Sequence, residues 1–388
     1  MVLSSILSYS FIMLVLYICS VFASRKYAMS MRKGILKTPF ISPEVVFFIA
    51  FFTISFAIRY NVGVDFVNYL DEYESGYKLE YGKNAPIYKY IALTWSNLGA
   101  HPAFYFGTFV FIQITFFLLY FKNERFLYPF FVVFLFCNGE VQDWMNIIRS
   151  TTAMCIWLYS IKYIEERKFW KYLIAVLVAA GFHRVAFLYI VLYPFLTIKE
   201  IKLPSIFFQY VVLGGALIIR KLFVEFAGVI APIVNVVKTT LGGEEDLYAS
   251  YDVATMLGDI NRAVTGTGIA FIVKLIIDAV IISYSNKMHQ FYNCRKFNIL
   301  YILFIISLFV FYCFPDYVIS FSRPFRFFFV FRTIMLGYFA YYLWKHKSKN
   351  GNELLLIATM SIYIGLFILA QVVCNENSCL WYQTWFNQ

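Results

Sequence analysis

Residues 140–183 read EVQDWMNIIRSTTAMCIWLYSIKYIEERKFWKYLIAVLVAAGFH. The segment opens on a polar cluster, Glu140, Gln142, Asp143, Asn146 and Arg149, and continues as an apolar helix to a basic turn at Arg167, Lys168 and Lys171. A second apolar helix then delivers His183 beside Arg184. Ionisable groups among segments this apolar are rare; they face a protein interior or a watery cavity and mark function. The stretch is therefore expected to cross a membrane and turn back, bringing Asp143, Arg149 and His183 to one cavity at the outer face.

The rest of the chain agrees. Of 388 residues, 61% are hydrophobic and 14% charged, against about 25% charged in a soluble domain. Apolar runs of roughly 17–25 residues, each able to cross about 30 Å of hydrocarbon, recur along the whole length. The fold expected is all-α: a polytopic integral membrane protein with about 12 transmembrane helices, forming a single transmembrane domain over residues 1–388 without a large soluble part. A membrane barrel does not fit, because the runs are continuous and do not alternate apolar with polar. The 45 Phe and 31 Tyr suit lipid-facing and interfacial surfaces. Met1 to Ala23 lacks a basic start and reads as a retained first helix.

Charge orients the spans. A first span at about 2–23 precedes Arg25, Lys26, Arg32, Lys33 and Lys37, which place the next loop inside. After a span at about 42–58, residues 59–101 are external, with a short surface helix at about 87–98 that starts at Pro86. Further spans follow at about 102–121, 126–139, 147–164 and 205–219, then at about 266–285, 297–314, 325–344 and 354–373. Residues 220–265 form a second external loop, and both termini fall outside. Residues 171–197 are either two half-helices meeting near His183, eased by Gly181, or one full span balanced by another at 222–237. The half-helix version is preferred, since broken helices at membrane depth line sites. Basic residues concentrate on the inner loops, so the formal charge of +11 reflects topology and requires no nucleic-acid partner. Cys374 and Cys379 could pair outside or remain two thiols.

The outer face collects Arg59, Gly63, Asp65 and Tyr69 after the second span, and Asp143, Asn146 and Arg149 at the start of the fifth. His183 and Arg184 sit near the middle of the next pair, and Asp316, Arg323, Arg326 and Arg332 lie around the eleventh span. Asp143, Asn146 and Arg149 are three apart and would share one face of a helix. Single arginines can be interfacial anchors. Five of them (59, 149, 323, 326, 332) at one level favour binding of a phosphate or diphosphate, which guanidinium groups grip bidentately. His183 could act as a general base, donate to phosphate, or pack as a structural residue. Asp65 and Asp143 could each take a proton from a sugar hydroxyl or hold an arginine in place. Gly63 should permit a tight turn before Asp65. No acidic pair suits a metal bridging phosphates; Glu244, Glu245 and Asp246 read as a solvated loop, so neither metal nor cofactor is expected. Lys274 and Asp278, four apart, read as an intrahelical ion pair.

At these residues the chain resembles the EpsG/Wzy-type family of bacterial polysaccharide polymerases. The family's R-x-x-x-G-x-D-x-x-x-Y is matched by Arg59, Gly63, Asp65 and Tyr69, and its N-x-x-R-Q-x-x-A by Asn146, Arg149 and Ala153. Its F-H-x-S-A is matched by Phe182, His183 and Ala186, while Ser150 and Val185 depart from it. The resemblance implies a GT-C-like, metal-independent glycosyltransferase of the bacterial inner membrane, its active site facing the periplasm. Such an enzyme joins undecaprenyl-diphosphate-linked donor and acceptor glycans into O-antigen or capsular polysaccharide, among membrane lipid and with a chain-length regulator as a possible partner. On this reading Arg149, Arg323 and Arg326 hold the diphosphate. Asp65, Asp143 or His183 activates the acceptor hydroxyl, and Arg59 and Tyr69 shape the sugar site. An O-antigen ligase, a lipid-linked oligosaccharide flippase and a membrane O-acyltransferase are the rival readings.

Overall fold

In the computed structural model, residues 2–34, 39–76, 85–198, 200–225, 268–314, 323–349, 351–369 and 382–386 are described. Among the described residues every regular element is helical, and the one extended pairing is an isolated bridge between Arg59 and Thr384. Among the described residues five helices are long and apolar enough to cross a membrane: Leu3–Arg32, Pro102–Tyr120, Arg295–Cys313, Pro324–Lys345 and Asn352–Leu369. A sixth crossing results if Ile269–Ser283 and Ser285–Tyr292, bent by 55°, act as one. Shorter apolar helices accompany them at Pro43–Ala57, Arg125–Cys137, Phe169–Ala180 and Arg184–Leu196. The chain is an all-helical membrane protein.

Two compact units form, one from residues 1–201 with 336–388 and the other from residues 202–335. In the first, α1 (Val2–Arg32) packs on α2 (Pro43–Ala57) and on α6 (Tyr128–Cys137). Beside them, α2 packs on α5 (Pro102–Tyr120), α5 on α8 (Ile148–Glu165), and α8 on α9 (Phe169–Ala180). Short helices α3 (Phe66–Glu74), α4 (Pro86–Asn97), α7 (Glu140–Asn146) and α10 (Leu192–Leu196) fill the connections. The second unit holds α11 (Ile206–Glu225), α12 (Ile269–Ser283), α13 (Ser285–Tyr292) and α14 (Arg295–Cys313). Helix α15 (Val330–Lys345) runs from the second unit into the first, where α16 (Asn352–Leu366) packs on α6.

Sequence explains most boundaries. Pro43, Pro86 and Pro102 open α2, α4 and α5, where the missing N–H costs nothing. The expected loop after residue 23 is instead helix to Arg32. Ala28, Met29 and Met31 are good helix formers, and the helix stops where Gly34 takes a left-handed φ of +73°. At 31 residues, α1 is about 46 Å long and overshoots about 30 Å of hydrocarbon. Its basic end is thereby carried to Glu44 of α2, 3.2 Å from Lys26. The break expected at His183 is present: α9 ends at Ala180, His183 is extended, and a 3-10 helix runs from Arg184 to Val191. Helix α11 continues to Glu225, past the expected loop start at 220. The alternative span at 222–237 lies largely, and Glu244–Asp246, Asp316, Cys374 and Cys379 lie entirely, outside the described residues.

The two ends of the first unit differ in chemistry. One end carries Lys26, Lys122 and Arg125 together with Glu44 and Glu124. Arg125, buried, donates to Pro39 O (2.5 Å), Lys122 O (3.1 Å) and Ser42 Oγ (3.3 Å), and Tyr338 donates to Glu124 at 2.7 Å. The other end gathers the last turns of α2, α6 and α9, the first turns of α5 and α8, and α3, α4 and α7.

Helix contacts in the first unit depend on small residues, as is usual where lipid offers no hydrophobic drive between helices. A Cβ placed on Gly337 would sit 2.5 Å from the Phe131 ring of α6. Gly337→Ala is therefore expected to destabilise the fold by about 1–3 kcal/mol, read as a lower thermal midpoint in detergent. Gly365→Ala, where no atom lies within 4 Å, should leave the midpoint unchanged.

Candidate functional site

The site is built on an interruption. Asp143, Asn146 and Arg149 were expected on one continuous helix face. The structure instead ends α7 at Asn146 and starts α8 at Ile148, with Ile147 between them at φ −111°, ψ 58°. In a continuous helix the carbonyls of Trp144 and Met145 would accept from Ile148 and Arg149. Side chains from other helices take them instead. Arg59, fully buried at the end of α2, donates from Nη2 to Met145 O at 3.0 Å and from Nη1 to Phe56 O at 2.6 Å. Gln113 of α5 donates from Nε2 to Trp144 O at 3.2 Å and to Thr151 Oγ1 at 2.9 Å. The Arg59 guanidinium also lies 4.8 Å from the Phe106 ring centroid. Arg59 thus acts on the site through the backbone it fastens.

The interruption turns Asn146 toward the loop after α2. Gly63 takes φ +104°, the turn expected of it. The Asp65 N–H then donates to Asn146 Oδ1 at 3.0 Å, and Asp65 is the residue that precedes α3. Two motifs separated by some eighty positions are thereby joined at one hydrogen bond. Beyond it, α3 buries Phe66, Tyr69, Glu72 and Tyr73.

Arg149 occupies the first turn of α8. Its guanidinium carbon lies 5.8 Å from the Tyr69 ring centroid and 5.2 Å from that of Tyr88. Cation–π contacts of this kind are worth about 2 kcal/mol when desolvated. Arg149 Nε is buried with no hydrogen-bond partner among the described residues. The same tyrosines meet a carboxylate. Tyr88 donates to Glu72 Oε2 at 2.6 Å, and the Tyr88 and Tyr105 hydroxyl oxygens are 2.5 Å apart. With its proton on Glu72, Tyr88 accepts from Tyr105. Glu72 Oε1 is likewise buried without a partner. Each such group carries a penalty of roughly 1–3 kcal/mol. Burial pushes the Glu72 carboxyl up, against the pull of the Tyr88 hydroxyl and of Arg149.

His183 follows Gly181, whose carbonyl accepts from Ile87 N (2.9 Å) and Tyr88 N (3.3 Å). This ties the broken α9 to the start of α4. Asp143 is half-buried in α7. Asp65, Asp143 and His183 each interact with a neighbour.

The remaining arginines lie in the second unit. Arg323 begins a 3-10 helix, Arg323–Phe328, that also holds Arg326; the Arg323 side chain lies outside the described residues. Arg332, named with the substrate-binding arginines from sequence, is buried and paired with Asp278 at 2.6 Å. Tyr312 donates to the same carboxylate at 2.6 Å. A phosphate reaching Arg332 would compete with that carboxylate, which was expected to pair with Lys274 of its own helix.

The EpsG family matches residues 44–384. The chain belongs to the EpsG family. No curated protein and no solved structure is significantly similar to it. The family match spans all three motif-bearing segments and reaches into both units. In this EpsG-family chain the first two motif segments converge through the Asp65–Asn146 bond. Glu72, Tyr88, Tyr105 and Gln113 were not singled out from sequence. A signal for Glu72 was available: at helical spacing from Tyr69 it falls on the apolar face of α3, where a carboxylate needs a reason.

Arg59→Ala should leave the Phe56 and Met145 carbonyls buried without a donor. A loss on the order of 3 kcal/mol is expected, with a clear drop in thermal midpoint. Arg59→Lys, which cannot reproduce the fork, should recover only part of it.

Proposed function

We propose that the chain is a membrane glycosyltransferase that polymerises undecaprenyl-diphosphate-linked oligosaccharide repeat units into O-antigen or capsular polysaccharide. It does so at the periplasmic face of the bacterial inner membrane, through twelve crossings in which the shorter apolar helices count, in a GT-C-like arrangement. The observation that carries the reading is Arg149. A guanidinium held between Tyr69 and Tyr88, with its Nε–H buried and without an acceptor among the described residues, suits an anionic oxygen brought by a ligand. Arg149 also stands at the start of an 18-residue helix whose first intrahelical bond is Thr151 N–H to Ile147 O. The N–H groups before it and the helix dipole favour an anion at the same place. A sugar diphosphate supplies that anion, and its charge grows as the glycosidic bond forms.

The other roles follow. Asn146 and Arg59 hold the Arg149 turn, and Tyr69 forms its aromatic wall. Asp65, Asp143 or His183 faces the acceptor. Arg332 secures Asp278 and Tyr312 within the second unit. The basic end of the first unit, with Arg125 and Lys26, faces the cytoplasm, which leaves the Arg149 end outside. Lipid-linked donor and acceptor glycans are the partners, with a chain-length regulator in the cell.

In cells depleted of the native protein, Arg149→Ala and Arg149→Lys should each leave glycans one repeat long, with transfer reduced roughly 100-fold or more. Long chains from Arg149→Ala would reject the assignment. Lipid A core bearing no repeat at all would indicate a ligase.

A further inference from the structure

We propose that Glu72 is the proton acceptor for the sugar hydroxyl that attacks during glycan transfer, an assignment that rests on the polymerase reading above. Glu72 is 3% exposed, yet α3 places its carboxylate on the buried face beside Tyr69 and Tyr73. Its two oxygens differ. Oε2 accepts the Tyr88 hydroxyl at 2.6 Å, which fixes the carboxylate plane. Oε1 has no hydrogen-bond partner among the described residues. A buried acceptor atom, oriented by the Tyr88 bond and unfilled among the described residues, matches an incoming O–H.

Its setting matches the reaction. Tyr88 touches both charged groups, its hydroxyl on Glu72 and its ring 5.2 Å from the Arg149 guanidinium carbon. Glu72 and Arg149 attract each other electrostatically. Among the described residues no hydrogen bond fills Glu72 Oε1 or Arg149 Nε. One is therefore complementary to a hydroxyl proton and the other to an anionic oxygen, and diphosphate-leaving glycosyl transfer needs both.

In the step proposed, the acceptor hydroxyl gives its proton to Glu72 Oε1 while its oxygen forms the bond to the anomeric carbon. The anomeric C–O bond to the diphosphate breaks, and its electron pair leaves on the diphosphate beside Arg149 Nε–H. The protonated Glu72 then releases its proton before the next turnover. Burial, which pushes the Glu72 carboxyl up, makes the ionised form a better base than an exposed carboxylate. The groups facing it are Tyr88 from α4, Arg149 from α8, Tyr105 through Tyr88 from α5, and Tyr69 on its own helix.

The test uses the full chain in liposomes with a synthetic prenyl-diphosphate-linked repeat unit. Glu72→Gln keeps the shape and the Tyr88 bond but cannot take the proton. It should lower kcat about 100-fold or more and leave KM for the lipid within about threefold. Tyr88→Phe removes the anchor but keeps Oε1, and should lower the rate only about tenfold. A Glu72→Gln enzyme within about threefold of wild type overturns the assignment. So does a Tyr88→Phe enzyme as slow as Glu72→Gln, because Glu72 would then serve only to hold the tyrosine. If Glu72→Gln does not fold, Glu72→Asp replaces it and must retain measurable transfer, since a carboxylate remains; complete loss in folded Glu72→Asp, with Tyr88→Phe equally dead, overturns the assignment. A wild-type chain that never lengthens the repeat rejects the polymerase reading itself and this assignment with it.

Discussion

A guanidinium that satisfies backbone carbonyls on another helix is what permits this protein to stop and restart a helix inside its bundle. Peptide groups in a lipid-embedded fold find no water, so an interrupted helix must be repaired by neighbours. Arg59 and Gln113 do this for Met145 and Trp144. Without the repair, α7 and α8 would fuse, Asn146 would follow the helix surface, and its contact with the Asp65 N–H would be lost. Arg149 would move from the first turn of a helix to its middle, where the helix dipole no longer gathers positive potential. The position of Arg149 is therefore a consequence of Arg59, although the two guanidinium groups have different environments.

Much of the fold was legible because membrane helices declare themselves by length and hydropathy. The boundaries at Pro43, Pro86 and Pro102, the short helix from Pro86, and the break at His183 all follow from residues that act locally. The extension of α1 to Arg32 is not legible from hydropathy, because charged residues end the apolar run, whereas Lys and Arg continue a helix well once it leaves hydrocarbon. The break at Ile147 was hidden for a different reason. Its cause is Arg59 and Gln113, thirty to ninety positions away, and nothing in residues 140–150 requires it.

The candidate site shows the same division. Arg149, Asn146, Asp65 and Tyr69 were legible as polar or aromatic residues in costly places, and the structure joins them in one unit. Glu72 lies in a stretch rich in acids, where a carboxylate normally faces water, so sequence alone does not mark it. Only the packing of α3 on α4 and α5 reveals it as buried and bonded to Tyr88. Arg332 misled in the opposite direction. Its place near a membrane face suggested a ligand contact, and its actual neighbour is Asp278 from a helix more than fifty positions earlier.

Counting arginines therefore says less than accounting for their hydrogen bonds. Arg59 and Arg125 are committed to carbonyls, and Arg332 to a carboxylate. A guanidinium suits all these tasks because its fork of donors is planar, permanently charged and weakly hydrated. The same properties suit a diphosphate, so residue type alone cannot separate a structural arginine from a ligand-binding one. Partner geometry can. In the first unit Arg59 spends both Nη groups on backbone carbonyls, whereas Arg149 meets the Tyr69 and Tyr88 side chains, with a hydrogen bond to Tyr69. A pair of tyrosines keeps the buried Arg149 cation in place and leaves its Nε–H available among the described residues, and that combination is what a site for an anionic ligand requires.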